Sequence, residues 1–178
     1  MIMEEKIVSK VDAAAWLDQG DIFYRPDDKA EFFNALDILS SERRGIAVSA
    51  NNEMMLNHYC RLIILRLRQA PLFNLELLLP STTDSLLKRF NKIIEKVSLD
   101  EALRPAKDTS PITLLIVNDA DLIEQQQWAL LSQLMSDFPG ANVQLVVFIN
   151  VTEWPQHNNA IDLFGHKLHR WTLGDLSI

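Results

Sequence analysis

The sequence predicts an α/β fold, a three-layer αβα sandwich around a mainly parallel five-stranded sheet, on three observations. Short apolar runs of strand length recur at 46–49, 74–79, 112–117 and 143–149. Segments of helical periodicity at 54–69, 82–97 and 123–137 alternate with them. The chain has 178 residues, 48% apolar and 23% charged, enough material for one ordinary core. Nearly continuous apolar runs suit strands buried on both faces, and β-α-β alternation is the pattern of parallel strands joined by crossover helices. Residues 1–178 therefore read as a single domain, with 1–40 a helical lead-in and 41–178 the core.

The elements follow in order. Segments 12–17 and 29–39 read as lead-in helices, separated by a stretch from Gly20 to Pro26. The first strand feeds the helix at 54–69, which is apolar around most of its circumference, so burial on more than one side is expected. The second strand stops at Pro80, and Ser81, Thr82 and Thr83 supply a cap for the helix at 82–97. The third strand ends in Asn118, Asp119 and Asp121, read as a turn that caps the next helix. Pro139 and Gly140 end the helix at 123–137. A short helix at 158–164 and a fifth strand at 167–173 complete the pattern.

Composition narrows the function classes. The net charge is −7, but residues 60–107 carry nine basic against five acidic side chains, whereas residues 108–178 carry two against eight. Direct nucleic-acid contact is not expected of so acidic a surface. No apolar stretch reaches the roughly 20 residues of a membrane helix, so no span within this chain is expected. The N-terminus reads as no secretory signal. The single cysteine, Cys60, excludes an internal disulfide, suits a reducing cytoplasm, and reads as an inert core residue. His166 and His169 stand three apart in a segment read as a strand, on opposite faces, so no metal site is expected. Lys88, Arg89, Lys92 and Lys96 form a cationic stripe read as a solvated helix face. Trp128, Trp154 and Trp171 are expected to pack in the core or at its edge.

Segment 45–56, GIAVSANNEMML, lies where a phosphate-binding loop would follow the first strand. The consensus G-x-x-x-x-G-K-[ST] needs glycines that open backbone amides to phosphate, a lysine for the terminal phosphates and a hydroxyl for magnesium. Placed here, it puts Ser49 and Met54 at the glycines, Met55 at the lysine and Leu56 at the hydroxyl, with Ala50, Asn51, Asn52 and Glu53 as the spacer. None of the four diagnostic positions matches. A lysine at Met55 is the substitution that would test for a recoverable site. The free amides and dipole at the helix start leave weak anion binding open. On the third strand, apolar residues lead to an acidic pair in the manner of a Walker B strand. Its first acidic position is Asn118, an amide without the anionic charge magnesium requires, and its second is Asp119.

The order of FYRPDDKAEFFNAL at 23–36, RGIAV at 44–48, LIVNDADL at 115–122, VQLVVFI at 143–149 and KLHRWTLGDL at 167–176 resembles an AAA+ ATPase domain. More narrowly, it resembles the branch of the general-secretion-pathway A and MSHA-pilus biogenesis ATPases and the N-terminal domain of the division protein DamX. The resemblance covers about residues 20–176 and implies a P-loop NTPase core. The helical lid that usually follows that core is absent from the 178 residues, and Asn150 sits near the position of a sensor group. No arginine finger can be assigned. Because the diagnostic positions are lost, no catalytic residue, cofactor or metal carries over. The resemblance thus implies a pseudo-ATPase: an interaction or assembly module for protein partners, including copies of itself, in the cytoplasm or at the cytoplasmic face of the bacterial inner membrane. Envelope, secretion and cell-division machinery are its settings in that branch, where a transmembrane helix can follow the domain. The alternatives are a nucleotide-binding secretion ATPase and a clamp-loader-like or DnaA-regulator-like subunit.

Overall fold

The computed structural model describes residues 16, 20–107 and 110–174. Five strands, β1 (Gly45–Ala50), β2 (Phe73–Leu77), β3 (Ile112–Val117), β4 (Val143–Asn150) and β5 (Leu168–Thr172), form one sheet in the order β2-β3-β4-β1-β5. Every pairing is parallel, so the sheet is wholly rather than mainly parallel. Ile46 on β1 lies opposite Val146 on β4 and His169 on β5, which places β1 inside the sheet.

Helices cover both faces. On one side lie α1 (Pro26–Asp37), continued by a π-turn at Ile38–Glu42, and α2 (Glu53–Arg68). Ile46, Val48 and Phe148 point into this layer with Phe32, Tyr59 and Ile63. On the other side lie α3 (Thr83–Val97), α4 (Leu99–Leu103), α5 (Gln125–Asp137) and α6 (Asn158–Ile161). Ala47, Val147 and Ile149 face that layer with Phe90 and Trp128. The strand residues alternate between the two cores, as the two-residue repeat of a strand requires.

Local chemistry fixes the boundaries. Thr82 Oγ accepts the Ser85 amide at 3.2 Å, the cap expected for α3. Asn142, in the left-handed conformation with φ 56°, donates its side-chain amide to the Pro111 carbonyl at 2.6 Å. Arg43, also left-handed with φ 54°, donates to the Ser110 carbonyl at 3.1 Å. Two strained turns thus anchor the entry to β3. At Gly45 a Cβ would fall 2.5 Å from the Leu145 carbonyl oxygen, so only glycine admits this close strand approach.

Several expectations need correction. The helix at 54–69 forms as α2 but buries one face: Met55, Leu56, Tyr59, Ile63 and Leu67 are interior, whereas Met54 and Leu65 are 60% and 53% exposed. It packs on a single side of the sheet, so its outer residues have nothing to bury against. Residues 99–103 form α4, an element that the apolar periodicity does not predict; Ser98 caps it by accepting the Glu101 amide at 3.3 Å. The last short helix ends at Ile161 and gives way to a 3-10 turn through Lys167. The lead-in helix at 12–17 lies outside the described residues apart from Trp16. Trp128 and Trp171 are buried as expected, and Trp154 stacks on Trp128 with ring centroids 5.9 Å apart, so Trp154 offers no contact surface.

Candidate functional site

The ends of β1, β3 and β4 carry the three segments that the sequence singles out. In this sheet the chain leaves β1 for β2 at one edge and leaves neighbouring β4 for β5 at the other. α2 follows β1 on one face, whereas α6 follows β4 on the opposite face. Such a switch point opens a crevice beyond the carboxyl ends of the strands, where open α/β sheets bind ligands. Here it is a cleft of about 80 Å³ bordered by Glu53, Asn118, Asp119, Asp121, Asn150 and Glu153. Positions more than 90 residues apart in sequence thus converge on one place.

The connection from β1 to α2 is short. Ser49 and Ala50 belong to the strand, because the Leu173 amide donates to the Ser49 carbonyl at 2.8 Å and the Val151 amide to the Ala50 carbonyl at 2.9 Å. α2 begins at Glu53, leaving only Asn51 and Asn52 between. A phosphate cradle needs extended loop backbone with its amides turned inward, and two residues cannot provide it. Asn52 Oδ1 accepts the Met55 amide at 3.1 Å and its carbonyl accepts the Leu56 amide at 3.1 Å. The helix start thereby caps itself. Glu53 adds a carboxylate in the first turn, satisfying the positive dipole end from within the chain. The anion binding left open at the helix start therefore meets a capped terminus and a resident negative charge.

The side chains at the diagnostic positions also depart from the expected layout. Met55 and Leu56, at the lysine and hydroxyl positions, are 0% and 5% exposed and belong to the core, while Met54 faces solvent. Met55 therefore does not line the place where a polyphosphate would lie.

Asn150 links the cleft walls. Its Nδ2 donates to Glu53 Oε2 at 2.5 Å, and its Oδ1 accepts the Thr152 amide at 3.0 Å. Across the cleft, Asn118 Oδ1 accepts from the Cys60 thiol at 3.4 Å. Cys60 is half-buried rather than a core residue, and burial pushes its thiol up to about 11, against a smaller opposing effect of Arg61. It is protonated at neutral pH. Asn118 and Asp119 form the expected turn, the Leu122 amide donating to the Asp119 carbonyl at 3.0 Å. The expected capping of the next helix does not form: α5 starts after Glu124 without a side-chain cap.

The electrostatics follow from the lining. Glu53, Asp119, Asp121 and Glu153 place four carboxylates around about 80 Å³, and no lysine or arginine borders the cleft among the described residues. This volume is below the roughly 300 Å³ at which small-molecule pockets begin. Glu153 carried no sequence signal, because its role follows from the turn after β4. His166 and His169 are not brought together: His166 lies exposed in the turn before β5, and His169 is half-buried on the strand. Among the described residues no three His, Cys, Asp or Glu side chains are placed to share a metal ion. The stripe of Lys88, Lys92 and Lys96 faces solvent, and Arg89 meets Glu76 at 3.4 Å. No described helix is long and apolar enough to cross a membrane.

The fold and cleft define an α/β protein with a wholly parallel five-stranded sheet and an acid-lined crevice at its switch point. Comparison with protein-family models and with curated proteins finds no match to either.

Proposed function

We propose that this chain is a catalytically degenerate AAA+-like domain that acts as a protein-interaction and assembly module. The observation that carries the reading is the occupied crevice. The segments corresponding to phosphate loop, acidic strand and sensor meet at one cleft, yet Asn52 caps the helix, Glu53 neutralises its dipole and Asn150 is bonded to Glu53. The framework of a nucleotide site supports the family resemblance, and the loss of each gripping group supports a binding role without hydrolysis. Four carboxylates repel a polyphosphate, and no lysine or arginine among the described lining residues offsets them. The setting we infer from the same resemblance is bacterial envelope or division machinery, at the cytoplasmic face of the inner membrane.

Calorimetric titration of the full chain with ATP and magnesium tests the first half of this reading. The expected result is no saturable heat below millimolar nucleotide, and micromolar binding would overturn it. Affinity isolation of the tagged chain tests the second half. Recovery with envelope or division proteins supports the proposal, whereas recovery with a polymerase or initiator complex replaces it with the clamp-loader-like alternative.

A further inference from the structure

The opposite end of the sheet carries the reverse charge. β4, β1 and β5 begin side by side there, and the turns that deliver them meet the end of α5 around an open cleft of about 300 Å³. Arg43, Arg44, His166 and Lys167 border it, against Glu42 as the only carboxylate among its described lining residues. In a chain of net charge −7 this is a local inversion of sign. A cleft lined by one sign of charge concentrates the opposite ion.

Arg44 and Lys167 are held together by backbone. Arg44 Nε donates to the His166 carbonyl at 2.6 Å, and Lys167 is the next residue. Their remaining partners are exchangeable. Arg44 Nη1 meets Glu42 at 3.0 Å, with the two side chains 28% and 52% exposed, and exposed pairs of this kind are worth only about 0–1 kcal/mol. Lys167 Nζ donates to the neutral Ser136 hydroxyl at 2.6 Å. A phosphate dianion can accept charge-assisted hydrogen bonds from both cations at once in place of these contacts. Arg43 sends its guanidinium to the Ser110 carbonyl and fixes the turn. Phe138 and Pro139 give the cleft an apolar wall beside the cations. The volume lies at the lower end of small-molecule sites, roughly 300–1,000 Å³, more than a bare inorganic ion fills.

We propose that this cleft binds an organic phosphomonoester, with the phosphate dianion between Arg44 and Lys167 and a compact carbon body against Phe138 and Pro139. The site lies at the far end of the strands from the acid-lined crevice and does not rest on the function proposed above.

The test is a titration of the full chain followed by amide NMR at constant ionic strength, with phenyl phosphate, inorganic phosphate and chloride as probes. Phenyl phosphate is expected to give saturating shifts at residues 42–44, 136–139 and 166–167, and to bind more tightly than inorganic phosphate. Lys167→Gln should weaken it by about tenfold, the effect of removing one charge-assisted contact. Glu42→Gln, which removes the competing carboxylate, should tighten it and keeps the test decisive should Lys167→Gln fail to fold. Shifts that chloride reproduces, saturation elsewhere on the surface, or affinities unchanged in both variants would overturn the site. Equal affinity for the two phosphates would overturn the assignment of an organic body.

Discussion

Met55→Lys supplies the residue type a phosphate loop requires, but the ammonium would enter a core where Met55 is 0% exposed, in the cluster containing Val48, Ile63 and Phe148. The lysine stem nearly replaces the methionine volume, so the charge dominates the cost. A buried lysine has its pKa lowered by up to about 3–5 units from its ordinary value of about 10.4, and each unit corresponds to about 1.36 kcal/mol. With the folded pKa below the ordinary value, the penalty is absent above about pH 10.4 and grows as pH falls toward the folded pKa. At pH 7 this amounts to about 4–5 kcal/mol, a large share of the roughly 5–15 kcal/mol of a typical domain. Urea unfolding followed by tryptophan fluorescence at pH 7 and pH 10 measures it, and Met55→Leu, expected to cost less than about 1.5 kcal/mol, controls for shape. A Met55→Lys protein as stable at pH 7 as the parent, with nucleotide binding gained, would refute this account of the helix start.

Three further expectations follow from buried contacts. Tyr59 donates to Asp28 at 2.6 Å and accepts the Tyr24 amide at 2.8 Å, so Tyr59→Phe should cost about 1.5–3 kcal/mol by urea unfolding. Burial, reinforced by the hydrogen bond to Asp28, raises the Tyr59 phenol far above its ordinary range. Its contribution is complete below about pH 10 and lost as pH rises further, a decline that unfolding measured between pH 9 and 11 should find reduced in Tyr59→Phe. Burial, then the neighbouring Arg44 charge, lowers the His169 imidazole, while Glu31 and Glu42 oppose the shift. Stability should therefore decline as pH falls through about 6.5, where the unfolded histidine takes up its proton, and thermal unfolding of His169→Gln from pH 5 to 8 should show a smaller decline. A Cβ at Gly140 would lie 1.6 Å from the Glu101 carbonyl oxygen, so Gly140→Ala should push α4 off the turn and cost at least about 1–3 kcal/mol, with faster amide exchange across residues 99–103.

Much of the architecture was legible in the sequence because the determinants are local. The run ITLLIV at 112–117 is a strand on apolar continuity alone, and Thr82 marks a helix start by its hydroxyl. The convergence of Glu53, Asn118 and Asn150 was partly legible, since each follows a predicted strand. Three features were not. α4 depends on Ser98 adopting a φ of 78°, which no residue pattern announces. The exposure of Met54 and Leu65 depends on which side of the sheet α2 occupies, a tertiary property. The shortness of the β1–α2 connection depends on how far the ladder runs, and only its partners at Val151 and Leu173 reveal that Ser49 and Ala50 are strand.

That two-residue connection makes the absence of a phosphate grip a matter of length rather than of residue identity. Glycines, a lysine and a hydroxyl introduced by substitution would inherit backbone already committed to the sheet on one side and to a helix on the other. A phosphate grip here would demand an insertion together with release of the Asn150–Glu53 bond, two changes of different kinds that must coincide. Single substitutions can reshape the crevice, but they cannot supply the length of loop that a phosphate grip needs.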